Sequence, residues 1–142
     1  MSGNAAEANK AVARKFLQMF ELGDPSIADE IVAVDYLNHD ALDSSVGREG
    51  VKAFVNTFRN AMPDAKVSIT YQVAEGDKVV SRYTWSGTHQ GEIFGVPATD
   101  RQVSWTQVTT FRIADGKIRE AWINWDQWGV MQQLGVVSPP EG

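Results

Sequence analysis

The chain contains no cysteine, which removes disulfides, thiolate metal sites and thiol nucleophiles from its chemistry. It has no cluster of lysine and arginine to neutralise phosphates, and its net charge of −5 argues against nucleic acid as a partner. A glycine-rich phosphate loop, an internal repeat and an apolar run long enough to span a bilayer are all missing. The opening Met1-Ser2-Gly3-Asn4 is polar and unlike a secretion signal. The two histidines lack the short paired spacing of a facial iron triad, so no metal site of that kind is expected. The expectation is one cytoplasmic domain over 1–136 without membrane contact, with a flexible tail over 137–142 that holds Ser138-Pro139-Pro140-Glu141-Gly142.

What is present is concentrated near the end. Lys117-Ile118-Arg119-Glu120-Ala121-Trp122-Ile123-Asn124-Trp125-Asp126 reads as a strand crowded with aromatic residues that ends in a carboxylate. A carboxylate set among rings is poorly solvated and is a stronger base when ionised, which suits proton transfer. Aspartate before Trp128 and Met131 is equally a favoured first residue of a short helix.

Upstream, Val12, Phe16, Met19 and Phe20 recur at helical spacing. Gly23 suits a left-handed cap, and Asp24-Pro25 an N-cap followed by a first helical residue. Ile27 and Ile31 mark a short second helix, residues 35–40 a loop, and Val51, Phe54, Val55 and Phe58 a third helix from about Arg48 to Pro63. Alternating strands follow. One places Val79, Ser81, Tyr83, Trp85 and His89 on a common face; another does the same for Val103, Trp105, Gln107, Thr109, Phe111 and Ile113. Ala114-Asp115-Gly116-Lys117 is the tightest hairpin signal. Helices followed by consecutive antiparallel strands make the class α+β. Because the last strand is apolar on both faces, and helices cover only one, a homodimer or higher homo-oligomer is expected over the other, the alternative being that these residues wrap a barrel-like core with no partner.

Several motifs stand in an order that resembles the SnoaL-like polyketide cyclases of the nuclear-transport-factor-2-like superfamily. They are residues 35–40, Met62-Pro63-Asp64, Glu75-Gly76-Asp77-Lys78-Val79, the stretch 87–97 from Gly87-Thr88-His89 to Gly95-Val96-Pro97, Phe111 through Ile118, Trp122 through Asp126, and Gln133-Leu134-Gly135. The resemblance runs from about Asn9 to Val136. It implies a cone-shaped α+β barrel: three N-terminal helices packed on a curved, mostly antiparallel sheet, a short C-terminal helix, and a deep apolar pocket. It further implies a cofactor-independent intramolecular aldol cyclisation with Asp126 as general acid/base. Where relatives commonly carry Pro-Pro-Thr-Gly, this chain has Pro97-Ala98-Thr99-Asp100, a change at the pocket mouth.

The ligand this implies is a small hydrophobic or aromatic carbonyl compound. Asp126 is the expected proton acceptor, with helix capping as its alternative. His39 is the second catalytic candidate, as a donor to a carbonyl; its alternative is a structural tie to Asp40 or backbone. Strand alternation places Glu120, Trp122, Asn124 and Asp126 together, so Asn124 could donate to an oxyanion and Glu120 could raise a neighbouring carboxylate's pKa. Arg112 and Arg119 are expected on the opposite face. Tyr36, Asn38, Phe54, Phe58, His89, Trp105, Gln107 and Trp122 complete the substrate-binding candidates, Trp105 and Trp122 as a sandwich for a flat ligand. For the phenylalanines the alternative is ordinary core, and for His89 support of the adjoining glycine loop. The rival functions are a non-catalytic binder of a hydrophobic ligand, or isomerase-like or epoxide hydrolase-like chemistry on the same fold.

Overall fold

The computed structural model describes residues 2–40 and 46–137; the expected tail lies outside them from residue 138 on. Helix α1 (Ser2–Leu22) ends at Gly23, whose φ of 66° is the expected left-handed cap. Asp24 then caps a single 3-10 turn (Pro25–Ile27), its carboxylate accepting from the Ser26 amide at 3.1 Å. The second helix is shorter than its two isoleucines suggest: α2 covers only Ala28–Ile31. Helix α3 (Gly47–Ala61) buries Val51, Val55 and Phe58 along one stripe, as the spacing requires.

The strands are β1 (Val32–Asn38), β2 (Lys66–Glu75), β3 (Lys78–Thr88), β4 (Gln102–Ala114) and β5 (Lys117–Trp125), followed by helix α4 (Gln127–Gln133). They form one sheet in the order β1-β5-β4-β3-β2. All neighbours are antiparallel except β1, which runs parallel to β5. The α+β architecture with three N-terminal helices on a mostly antiparallel sheet is therefore the observed one.

One expectation is corrected. Residues 35–38 are not loop but the second half of β1, whose pairing with β5 carries an irregularity between Val32 and Leu37. That irregularity erases the simple alternation from which a strand is read. On β3 and β4 alternation holds. Val79, Ser81, Tyr83 and Trp85 of β3 and Val103, Trp105, Thr109, Phe111 and Ile113 of β4 are buried on the face that the helices cover. On β5 the register slips between Ile118 and Glu120, so Ile118, Ala121, Ile123 and Trp125 point to the helices while Glu120, Trp122 and Asn124 point away. Asp115 and Gly116, with φ of 54° and 72°, make the tight β4–β5 turn. Asp100, in the loop between β3 and β4, takes up a glycine-like φ of 58°.

Candidate functional site

Between α1, α3 and the covered face of the sheet lies a cavity of about 70 Å³. Its wall is mostly aromatic: Phe16 and Phe20 from α1, Phe54 and Phe58 from α3, Trp85, Trp105 and Trp125 from the strands, and Phe94 from the loop between β3 and β4. The rings hold one another. Phe58 meets Trp85 edge-on at 4.9 Å, and Phe94 lies against Trp125 at 5.2 Å. Phe94 is a bulky residue at φ 54° followed by Gly95 at φ 76°, inside a two-residue turn closed by reciprocal Ile93–Val96 hydrogen bonds. A turn with positive φ at both central positions is normally built from Asn, Asp or Gly, so the backbone there is strained to present a ring to the cavity.

Polar groups enter at one corner. The Trp105 indole Nε1–H donates to Gln107 Oε1 at 2.9 Å, which fixes the amide's orientation because an indole only donates. Gln107 Nε2 then donates to the Tyr83 hydroxyl at 2.8 Å, and that hydroxyl shares a 2.6 Å hydrogen bond with Thr109 Oγ1. Burial pushes the Tyr83 phenol well above its ordinary value of 10, so at neutral pH it is a neutral donor and acceptor. No acceptor among the described residues takes the second amide hydrogen of Gln107. Asp40 also lines the cavity, the one carboxylate among the described residues that does.

Of the residues anticipated from sequence, Phe54, Phe58, Trp105 and Gln107 are on this wall. Tyr36 is buried beside Phe16, at 6.3 Å between rings, behind the wall rather than on it. Asn38 Oδ1 accepts from the Asp40 amide at 2.7 Å. His89 is buried and ties its own loop: Nδ1 accepts from the Thr99 amide at 3.3 Å and lies 2.9 Å from Thr99 Oγ1. Its Nε2 is the one buried side-chain nitrogen or oxygen without a hydrogen-bond partner among the described residues.

The remaining candidates lie off the cavity wall. Trp122 and Asn124 are on the far face of the sheet, so Trp122 cannot sandwich a ligand with Trp105. His39 is there too. Its ring stacks on Trp122 at 4.8 Å and 4°, and Nε2–H donates to Glu120 Oε2 at 2.9 Å. Glu120 Oε1 accepts from Arg112 Nε at 2.6 Å, so Arg112 shares the face of Glu120 rather than opposing it. These two donors, His39 first, hold the Glu120 carboxyl below its ordinary value of 4.5. Asp126 is exposed and caps α4, its Oδ1 accepting from the Gly129 amide at 2.9 Å. Its carboxylate stands on the helix-capping alternative, one residue beyond the wall residue Trp125. Asp40, Tyr83, Trp85, Phe94 and Trp125 are among the wall residues that the sequence did not single out as site candidates.

The model of the SnoaL-like polyketide cyclases matches residues 10–134. The chain belongs to this family. It is 32% identical over 136 residues to the aklanonic acid methyl ester cyclase DnrD of Streptomyces peucetius, covering 91% of this chain and 92% of that protein. It is 34% identical over 127 residues to the nogalonic acid methyl ester cyclase of Streptomyces nogalater, covering 86% of this chain and 93% of that one. Among solved structures, TsrD from Streptomyces laurentii superposes with a TM-score of 0.85 at 30% identity, over 92% of this chain and 97% of its own. As a SnoaL-like protein the chain is a polyketide cyclase-like enzyme, and the aromatic cavity with its polar corner is the feature of the fold suited to hold a small organic ligand.

Proposed function

We propose that this protein closes a ring in a small aromatic carbonyl compound by intramolecular aldol addition, without a cofactor. The carrying observation is the polar corner of a mostly aromatic cavity, where Trp105 and Tyr83 hold the Gln107 amide with one N–H left for a ligand. The aromatic walls suit a flat ring system. A carbonyl oxygen of that ligand can meet the Gln107 N–H, which strengthens as the oxygen gains charge on enolate formation. Confinement brings the enolate carbon to a second carbonyl of the same molecule and keeps water away. Aklanonic and nogalonic acid methyl esters, named by its relatives, are the substrates to try first.

A second reading has a specific observation behind it. The carboxylate expected to act as acid/base, Asp126, is solvated and engaged with the α4 amide, as suits a binder that holds the same ligand without transforming it. One experiment separates the two. The purified protein is mixed with each methyl ester, binding is followed by quenching of the wall tryptophans, and conversion by chromatography at unchanged mass. The expected result is conversion to an isomer, slowed about 100-fold in Gln107→Leu through loss of the oxyanion donor. Quenching without any isomer would leave the binder.

The oligomer is part of the proposal. On the face away from the helices, Val73, Val80, Thr110 and Trp122 lie in one cross-strand row, with Tyr71, Arg82, Val108 and Asn124 in the next. Tyr71 and Val73 are exposed. A second copy of the chain laid on this face would cover them.

A further inference from the structure

We infer that Asp40 is the catalytic carboxylate of the cavity, taking and returning the proton that ring closure moves. The inference rests on the reading that the cavity hosts enolate chemistry. It comes from the end of β1, where two adjacent residues are driven to opposite sides of the sheet. The His39 backbone N–H still donates to the Ala121 carbonyl at 2.9 Å, so strand pairing with β5 persists one residue beyond Asn38. The His39 ring is drawn outward onto Trp122 and Glu120. Asp40 follows on the inner side, in step with buried Tyr36. Its position is set by an Asx turn, in which Asn38 Oδ1 accepts the Asp40 amide at 2.7 Å. The outer contacts of His39 thus act as a clamp that keeps Asp40 on the cavity wall, where it is the one carboxylate among the described lining residues. Asp126 stands off the cavity wall in an exposed cap, its Oδ1 accepting from the Gly129 amide.

The step balances without any co-reactant. An Asp40 oxygen takes a proton from the carbon next to a substrate carbonyl, and the C–H electron pair becomes the enolate. The enolate carbon bonds to the carbon of a second carbonyl, whose π electrons become an alkoxide. The alkoxide recovers the proton from Asp40, leaving an isomer of the substrate and the carboxylate restored. The substrate class is an aromatic compound with an acidic C–H beside one carbonyl and a second carbonyl within reach of it.

The test uses the whole chain and the two methyl esters in D2O. Deuterium entry at the acidic carbon and ring closure are measured separately for wild type, Asp40→Asn and Asp126→Asn, with tryptophan quenching as a check on binding. Removing a general base slows its step by about 100-fold or more. Asp40→Asn should therefore lose both signals to that extent while its ligand Kd stays within a few-fold of wild type. Asp126→Asn, which keeps a capping side chain, should retain both. Asp40→Ser gives a second variant with the same expected loss, should the asparagine disturb the fold. Full exchange in either folded Asp40 variant overturns the inference, as does loss of exchange in a folded, ligand-binding Asp126→Asn. Asp40-dependent exchange without ring closure upholds Asp40 as the base and rejects the cyclisation reading alone. Absence of exchange in wild type rejects both.

Discussion

Glu120 is held by two side chains at once, His39 Nε2–H at 2.9 Å and Arg112 Nε at 2.6 Å, and its carboxyl is pulled below 4.5 as a result. A depressed carboxyl pKa in the folded state contributes stability above the unfolded value, and that contribution is lost as pH falls through the folded one. Here the contribution is complete above about pH 4.5 and fades on acidification below it. The pair of contacts is partly exposed, so the effect is screened by salt. Glu120→Gln should melt below wild type at neutral pH, with the gap narrowing as pH drops through the region under 4.5. Thermal melts of both proteins across that range check this; parallel curves would show that Glu120 carries no folding-linked charge. His39 thus sits on the outer face, and no feature of its sequence neighbours, Asn38 and Asp40, distinguishes that place from one in the pocket. The answer lies in Trp122 and Glu120, some eighty residues away.

At the level of elements, β3 and β4, which alternate cleanly, were legible, and the second half of β1 was missed. β3 and β4 present the faces their alternation predicts because each strand is long, paired on both sides and covered on one face. Among the strands β1 pairs only with β5 and carries an irregularity between Val32 and Leu37, so Asp35 to Asp40 looks like loop, and the inward step from Tyr36 to Asp40 cannot be counted. On β5 alternation correctly groups Glu120, Trp122 and Asn124, but periodicity alone does not say which group faces the helices. The nearby register slip, between Ile118 and Glu120, adds to that ambiguity. Aromatic content pulls the eye to Trp122, while the cavity belongs to Ile123 and Trp125.

The Phe94–Gly95 turn is also an element-scale feature, and it bears on ligand entry. A cavity of about 70 Å³ is well short of the roughly 300 Å³ at which pockets for drug-sized ligands begin. A fused-ring ligand therefore needs wall rings to swing aside, and Phe94 is the ring carried by a strained turn rather than by a helix or strand. Phe94→Gly and Phe94→Ala both remove the ring from Trp125, so both should speed ligand association several-fold in stopped-flow tryptophan quenching. Glycine alone also relieves the positive φ. The glycine variant should thus be more stable than the alanine variant by about 1 kcal/mol. Equal association rates in all three proteins would place the entry route elsewhere.

For the whole molecule, the question is what a sheet with one covered face does with the other. Helices α1 and α3 bury the inner face, and the outer face is left with aliphatic and aromatic side chains in register across β2, β3, β4 and β5. An isolated valine on a surface needs no explanation, but rows that continue from Val73 and Tyr71 to Trp122 and Asn124 make a contiguous patch. The clamp of Arg112, Glu120 and His39 stands beside that patch and supplies a polar margin, the arrangement of an interface with an apolar centre. Two copies related by a two-fold axis would bury the same rows against each other, and their cavities, on the opposite side of each sheet, would stay open to ligand. Val108 lies near the middle, paired to Arg82 on one side and Asn124 on the other. The wild-type protein should therefore sediment as a dimer at micromolar concentration. Val108→Arg would place a charge next to Arg82 and oppose its symmetry mate, so that variant should sediment as a folded monomer with ligand quenching intact. A monomeric wild type, or a dimer indifferent to Val108→Arg, would mean that this face is not the interface.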